Sequence, residues 1–144
     1  MTDRTVTISR RFAAAPDKVW AAWTTESGLR SWYAPLEGWI VGNASVDARL
    51  GGGYDVTFGP EPEGDLYREE GTYNVFTPIE KLAWDGRLTG EGASEQSSIS
   101  ITFTPDGDGT VLDITESGLS EESVDDHEMG WNGALDRLEE LFAA

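Results

Sequence analysis

Apolar side chains change their spacing twice along the chain. Residues 5–12 alternate, with Val6 and Ile8 on one face, which predicts a strand. Pro16 suits the first turn of a helix, and Val19, Trp20 and Trp23 follow at helical spacing. A second short helix is predicted over 26–32, with Thr25 as its cap, Leu29 and Trp32 three apart, and Pro35 ending it. From 38 to 116 the pattern changes to strands and turns. Extended segments are expected over 38–47, over 54–58 (Tyr54, Val56, Phe58), over 67–77, and over 81–87, where Leu82 and Trp84 share a face. Two more follow, around Ile99, Ile101 and Phe103, and over 110–116 with Leu112 and Ile114 on one face. Gly51-Gly52-Gly53, the Pro/Gly/Glu stretch 59–64, Pro78-Ile79-Glu80 and the hairpin turn 105–109 separate them, and 88–96 reads as a polar loop.

Helical spacing returns at the C-terminus. Ser120 is the expected cap, and Glu121 and Glu122 sit where the helix dipole favours acid. Val124, His127, Trp131, Leu135, Leu138 and Phe142 form one stripe, with Asp125, Asp126, Asn132 and Asp136 on the other side. The order is strand, two short helices, about six strands and one long amphipathic helix. It predicts an α+β fold of one domain over 1–144, a helix laid across an antiparallel sheet.

Composition narrows the chemistry. The 144 residues suffice to bury about 68% of the unfolded surface in a core. There is no cysteine, which removes disulfides, thiolate metal sites and cysteine nucleophiles. The net charge of −17 opposes phosphate, so neither nucleic acid nor an anionic membrane surface is an expected partner. Of the ten basic residues only Lys18 and Lys81 are lysines. Salt adaptation and ordinary acidic solubility both produce such a surface. No apolar run reaches the ~18 residues of a membrane span, and Met1-Thr2-Asp3-Arg4 is no signal peptide, so a cytoplasmic location is expected.

Candidate chemistry is sparse. Asp106-Gly107-Asp108-Gly109 lacks the later ligands of a calcium loop, and no Lys-Ser or helix follows the glycine triplet, so neither a metal nor a phosphate cofactor is expected. The aromatics are abundant. Trp20 and Trp23 are expected to anchor the first helix. Trp32, Tyr33, Tyr54, Phe58, Tyr73, Trp84 and Trp131 are the candidate walls of an apolar pocket, with Trp32 and Trp84 foremost. Tyr54, Tyr73 and His127 are candidate polar tips for orienting a ligand. His127, the single histidine, falls on or near the inward face of the last helix. Glu116 shares the face of Ile114, so an inward Glu116 would meet His127, with its carboxyl raised by desolvation. A structural imidazole and a solvated strand-end carboxylate are the plainer readings. No catalytic triad spacing stands out.

Several segments, in order, resemble the family named for the activator of heat-shock-protein-90 ATPase. They are Ala15-Pro16-Asp17-Lys18-Val19-Trp20, Leu29-Arg30-Ser31-Trp32-Tyr33 and Leu50-Gly51-Gly52-Gly53-Tyr54. Gly71-Thr72-Tyr73 through Leu82, and His127-Glu128-Met129-Gly130-Trp131, complete the set. The resemblance implies the START-like helix-grip fold, in which a curved sheet of about seven strands wraps a long C-terminal helix beside a cavity. It implies a small hydrophobic or amphipathic ligand as partner. A chaperone-ATPase-interacting module, or a cyclase or hydrolase acting on a polyketide-like substrate, are the alternatives it leaves.

Overall fold

The computed structural model describes residues 4–90 and 93–143. Strand β1 (Arg4–Phe12) is followed by helices α1 (Pro16–Thr24) and α2 (Glu26–Trp32). Six strands come next: β2 (Trp39–Asp47), β3 (Gly53–Pro60), β4 (Tyr67–Thr77), β5 (Lys81–Gly90), β6 (Ala93–Asp106) and β7 (Gly109–Leu119). Helix α3 (Val124–Ala143) is last. The strands form one antiparallel sheet in the order β1-β7-β6-β5-β4-β3-β2, curved around α3. Consecutive hairpins build it from β2 to β7, and β1 returns to pair with β7. Pro16 opens α1, where its fixed φ is already helical. Thr25 Oγ1 accepts from the Gly28 amide at 3.0 Å and caps α2.

Three local expectations change. The stretch 88–96 is strand, not loop: Leu88 pairs with Glu95 and Gly90 with Ala93, while the centre of that segment, 91–92, lies outside the described residues. Its polarity concealed it, because the inner face there carries Glu95 and Ser97 between Leu88 and Ile99. The last strand runs past 116 to Leu119. A register shift opposite Arg4 and Val6, with Gly118 at φ 85°, resets the alternation so that Leu119 is buried. Ser120 caps a turn and not the helix: its Oγ accepts from the Ser123 amide at 3.2 Å, and α3 begins after Ser123, whose carbonyl takes the His127 amide at 3.0 Å.

Ile99, Ile101, Leu112 and Ile114 of the sheet and Leu135 and Leu138 of α3 are buried in one core cluster. Trp20 meets Phe76 and Phe103 edge-on, at 5.2 Å in each case, which anchors α1 on β4 and β6. Two arginines hold the flanks of α3. Arg10 of β1 bonds Asp136 at 2.7 Å and Asn132 at 3.1 Å, and Arg137 donates to the Trp39 carbonyl at 2.9 Å. Gly133 lets the helix backbone close on Pro35, since a Cβ at this position would overlap the Pro35 carbonyl oxygen. Truncating Leu135 to alanine removes a fully buried side chain at this contact and is expected to cost about 2–5 kcal/mol. Leu141→Ala on the same helix, at a 44% exposed position, is expected to cost about 0.5 kcal/mol or less. Denaturant midpoints with unchanged far-ultraviolet dichroism measure both.

Candidate functional site

Between the N-terminal half of α3 and the open end of the sheet lies a cavity of about 490 Å³. Each layer gives it one or two side chains: Trp39 from β2, Phe58 from β3, Tyr67 and Glu69 from β4, Leu88 from β5, Glu95 from β6 and Glu116 from β7. His127, Trp131 and Ala134 face them from α3, and Tyr33, Pro35 and Leu36 close the side after α2. Three aromatic rings run in a stack, Trp39 to Tyr67 at 5.9 Å and Tyr67 to Phe58 at 6.0 Å. Gly130 and Ala134 add little bulk on the helix side. A wider, open trough of about 970 Å³ runs over the other face of the sheet, among serines, glycines and acidic side chains such as Asp55, Glu70 and Asp85. Its polarity and openness leave an apolar guest largely in water.

Of the candidate walls, Tyr33, Phe58 and Trp131 line the cavity, together with Glu116 and His127. Trp32, Tyr54, Tyr73 and Trp84 do not. Trp32 turns toward α1, where its Nε1 donates to the Ala22 carbonyl at 2.9 Å and its ring meets Trp23 at 4.5 Å. Trp84 and Tyr54 fill the space over Gly71, where any Cβ would strike both rings, and Tyr73 packs on Trp84 at 6.1 Å. The middle of the interior is therefore solid aromatic core, with Trp131 against Trp23 at 5.9 Å. The room lies nearer the start of α3.

Glu116 is buried at the floor, and both its oxygens are engaged. It accepts from Ser97 Oγ at 2.6 Å, from Trp131 Nε1 at 2.8 Å and from His127 Nδ1 at 2.9 Å. The other imidazole nitrogen of His127 lies 3.0 Å from Glu95 Oε1. Burial pulls the imidazole down, but the bonds and charges of Glu116 and Glu95 outweigh it and lift His127 to about 9. Burial pushes Glu116 up, yet the bonds from His127, Ser97 and Trp131 leave its carboxyl below the ordinary range, opposite to the rise expected from desolvation alone. Near neutrality the imidazolium thus donates to two carboxylates.

The sequence reading named no role for Glu69, which shares the inner face of β4 with Gly71 and Tyr73. It is buried, and the Tyr33 hydroxyl donates to its Oε1. Burial raises its carboxyl to about 7, against the bond from Tyr33. The signal available was the alternation Tyr67, Glu69, Gly71, Tyr73, a carboxylate set among aromatics at strand spacing. Trp39 and Tyr67 had no comparable signal, because which face of each strand turns inward is settled by pairing. Among the described residues no cluster of histidine and carboxylates has the arrangement of a metal site.

Residues 13–143 match the model of the family described as Activator of Hsp90 ATPase homolog 1-like protein. No curated protein matches the chain. Among solved structures, protein CV1439 from Chromobacterium violaceum is 26% identical, with 97% of each chain covered and a TM-score of 0.85. Protein Mll3558 from Rhizobium loti is 28% identical, with 95% of each chain covered and a TM-score of 0.77. DynU16, a protein of the dynemicin biosynthetic locus, is 20% identical over 94% of this chain and 46% of its own, with a TM-score of 0.74, and shares the fold.

Because His127 is the single histidine, its ring resonances titrate without overlap. The expected midpoint is about 9, falling toward the ordinary value of 6.5 in Glu116→Gln. The linked stability has a definite sign. With the folded value above the unfolded one, the contribution of His127 is complete below pH 6.5 and is lost as pH rises through about 9. A proton NMR titration of wild type and variant checks this.

Proposed function

Since the chain belongs to the Activator of Hsp90 ATPase homolog 1-like family, we propose that it binds a small hydrophobic or amphipathic molecule in the cavity between its sheet and α3. Members of the family bind hydrophobic ligands. The observation that carries the reading here is the cavity itself, about 490 Å³ with a stacked aromatic wall and a few polar groups at its floor. That size and that lining suit a small organic guest. Burial supplies the affinity, about 25 cal/mol for each Å² of apolar surface removed from water before ordering costs. The hydrogen-bonded groups at the floor set the orientation.

A second reading, acid–base catalysis on the bound molecule, is favoured by one observation. Glu69, at about 7, lines the cavity, in the range where proton transfer is effective at neutral pH. A relative from a biosynthetic locus shares the fold. Turnover of a polyketide-like substrate, lost in Glu69→Ala with substrate binding retained, supports this reading. Binding without turnover returns the protein to carriage.

For the binding reading, the neutral dye Nile red is expected to fluoresce brightly with wild type. Ala134→Trp, which places an indole in the cavity, is expected to remove that signal while preserving far-ultraviolet dichroism. Thr72→Trp, in the trough on the outer face, is expected to leave it unchanged. The reverse pattern between the two variants overturns the reading.

A further inference from the structure

The cavity's charged groups are unequal in what they leave for a ligand. Glu69, Glu95, Glu116 and Asp126 line it with His127, and no lysine or arginine does among the described residues. Both nitrogens of His127 are occupied, by Glu116 and by Glu95. Both oxygens of Glu116 are engaged by its three donors, one of them the His127 imidazolium. Glu69 differs. The groups beside it that can donate are neutral hydroxyls, Tyr33 foremost and then Tyr54; it makes no salt bridge among the described residues, and only 8% of it is exposed. An ionised carboxylate in that position lacks a contacting cation, which burial penalises. The rings of Trp39, Phe58 and Tyr67 line the same cavity, and aromatic rings attract cations.

We propose that the cavity selects amphipathic amines, molecules with an aromatic or aliphatic body and one ammonium group that pairs with Glu69. This rests on the binding reading and specifies its ligand class. The body stacks against the aromatic wall and the ammonium supplies the missing countercharge. A ligand carboxylate of the same shape meets an excess of like charge and is rejected. A neutral alcohol gains the wall without the ion pair. Pairing also draws Glu69 into its ionised form and so releases its proton. The groups that face Glu69 are Tyr33 after α2, Tyr54 on β3, Glu116 on β7 and His127 on α3, and of these only His127 carries positive charge.

Calorimetry with the matched series phenylbutylamine, phenylbutanol and phenylbutyrate tests the inference. Measurements at about 1 M salt, where the Debye length is about 3 Å, suppress general attraction to the acidic surface. The amine is expected to bind about tenfold tighter than the alcohol, with phenylbutyrate weakest. Glu69→Gln is expected to reduce the amine to the affinity of the alcohol. In wild type the amine's affinity is expected to rise from pH 6 to pH 8, across the ionisation of Glu69 near 7. That pH series carries the test if Glu69→Gln does not fold. Equal binding of amine and alcohol, preference for phenylbutyrate, or an amine preference that survives Glu69→Gln overturns the proposal and leaves the cavity reading standing. Absence of binding by all three, with Nile red also dark, overturns the cavity reading and this inference with it.

Discussion

An ionised carboxylate on the inner face of a sheet has to be compensated where it lies, and Glu116 fixes much of this molecule by that requirement. Its donors come from β6 and from two successive turns of α3, so satisfying one charge ties sheet to helix. The bonds to His127 and Trp131 set both the rotation and the height of the helix above β7. Breaking the set would leave an uncompensated ion in the interior, which costs far more than a lost surface pair. The apolar contacts of Leu135 and Leu138 hold the far half of α3, and the polar contacts of Glu116 hold the near half. The cavity lies along the near half, beside these directed bonds.

The elements were legible because their periods were clean. The strand 67–77, both short helices and the long C-terminal stripe follow from spacing, with Pro16 and the Thr25 cap marking the helix starts. Where the reading failed, one face of a strand had lost its apolar signature. Glu95 and Ser97 face inward on β6 to serve His127 and Glu116, so the segment looked like solvated loop. The inner phase of β7 was legible as far as Glu116, and the bulge that carries it on to Leu119 was not, since one inserted residue leaves no mark in composition.

The site divides the same way. Glu116 and His127 were found from helix and strand spacing, although the direction of the carboxyl shift depended on contacts with Ser97 and Trp131 that spacing does not give. The aromatic candidates were harder. Trp32 and Tyr33 are neighbours, yet one ring enters the core beside Trp23 and the other enters the cavity. Residue type gives supply, and only the turn after α2 decides the destination. Gly71 shows the same limit: its missing side chain draws Tyr54 and Trp84 together over the sheet and takes both out of the lining.

Six strands and one helix contribute to the cavity, most of the strands by a single residue, while the core centres on other positions such as Ile101, Leu112 and Ile114. Trp39, Tyr67 and Leu88 are only partly buried against the core, so exchanging one of them disturbs the fold less than exchanging Ile114 or Leu135. A scaffold partitioned in this way separates the inheritance of shape from the inheritance of chemical taste, so kinship in architecture is compatible with wide divergence in cargo.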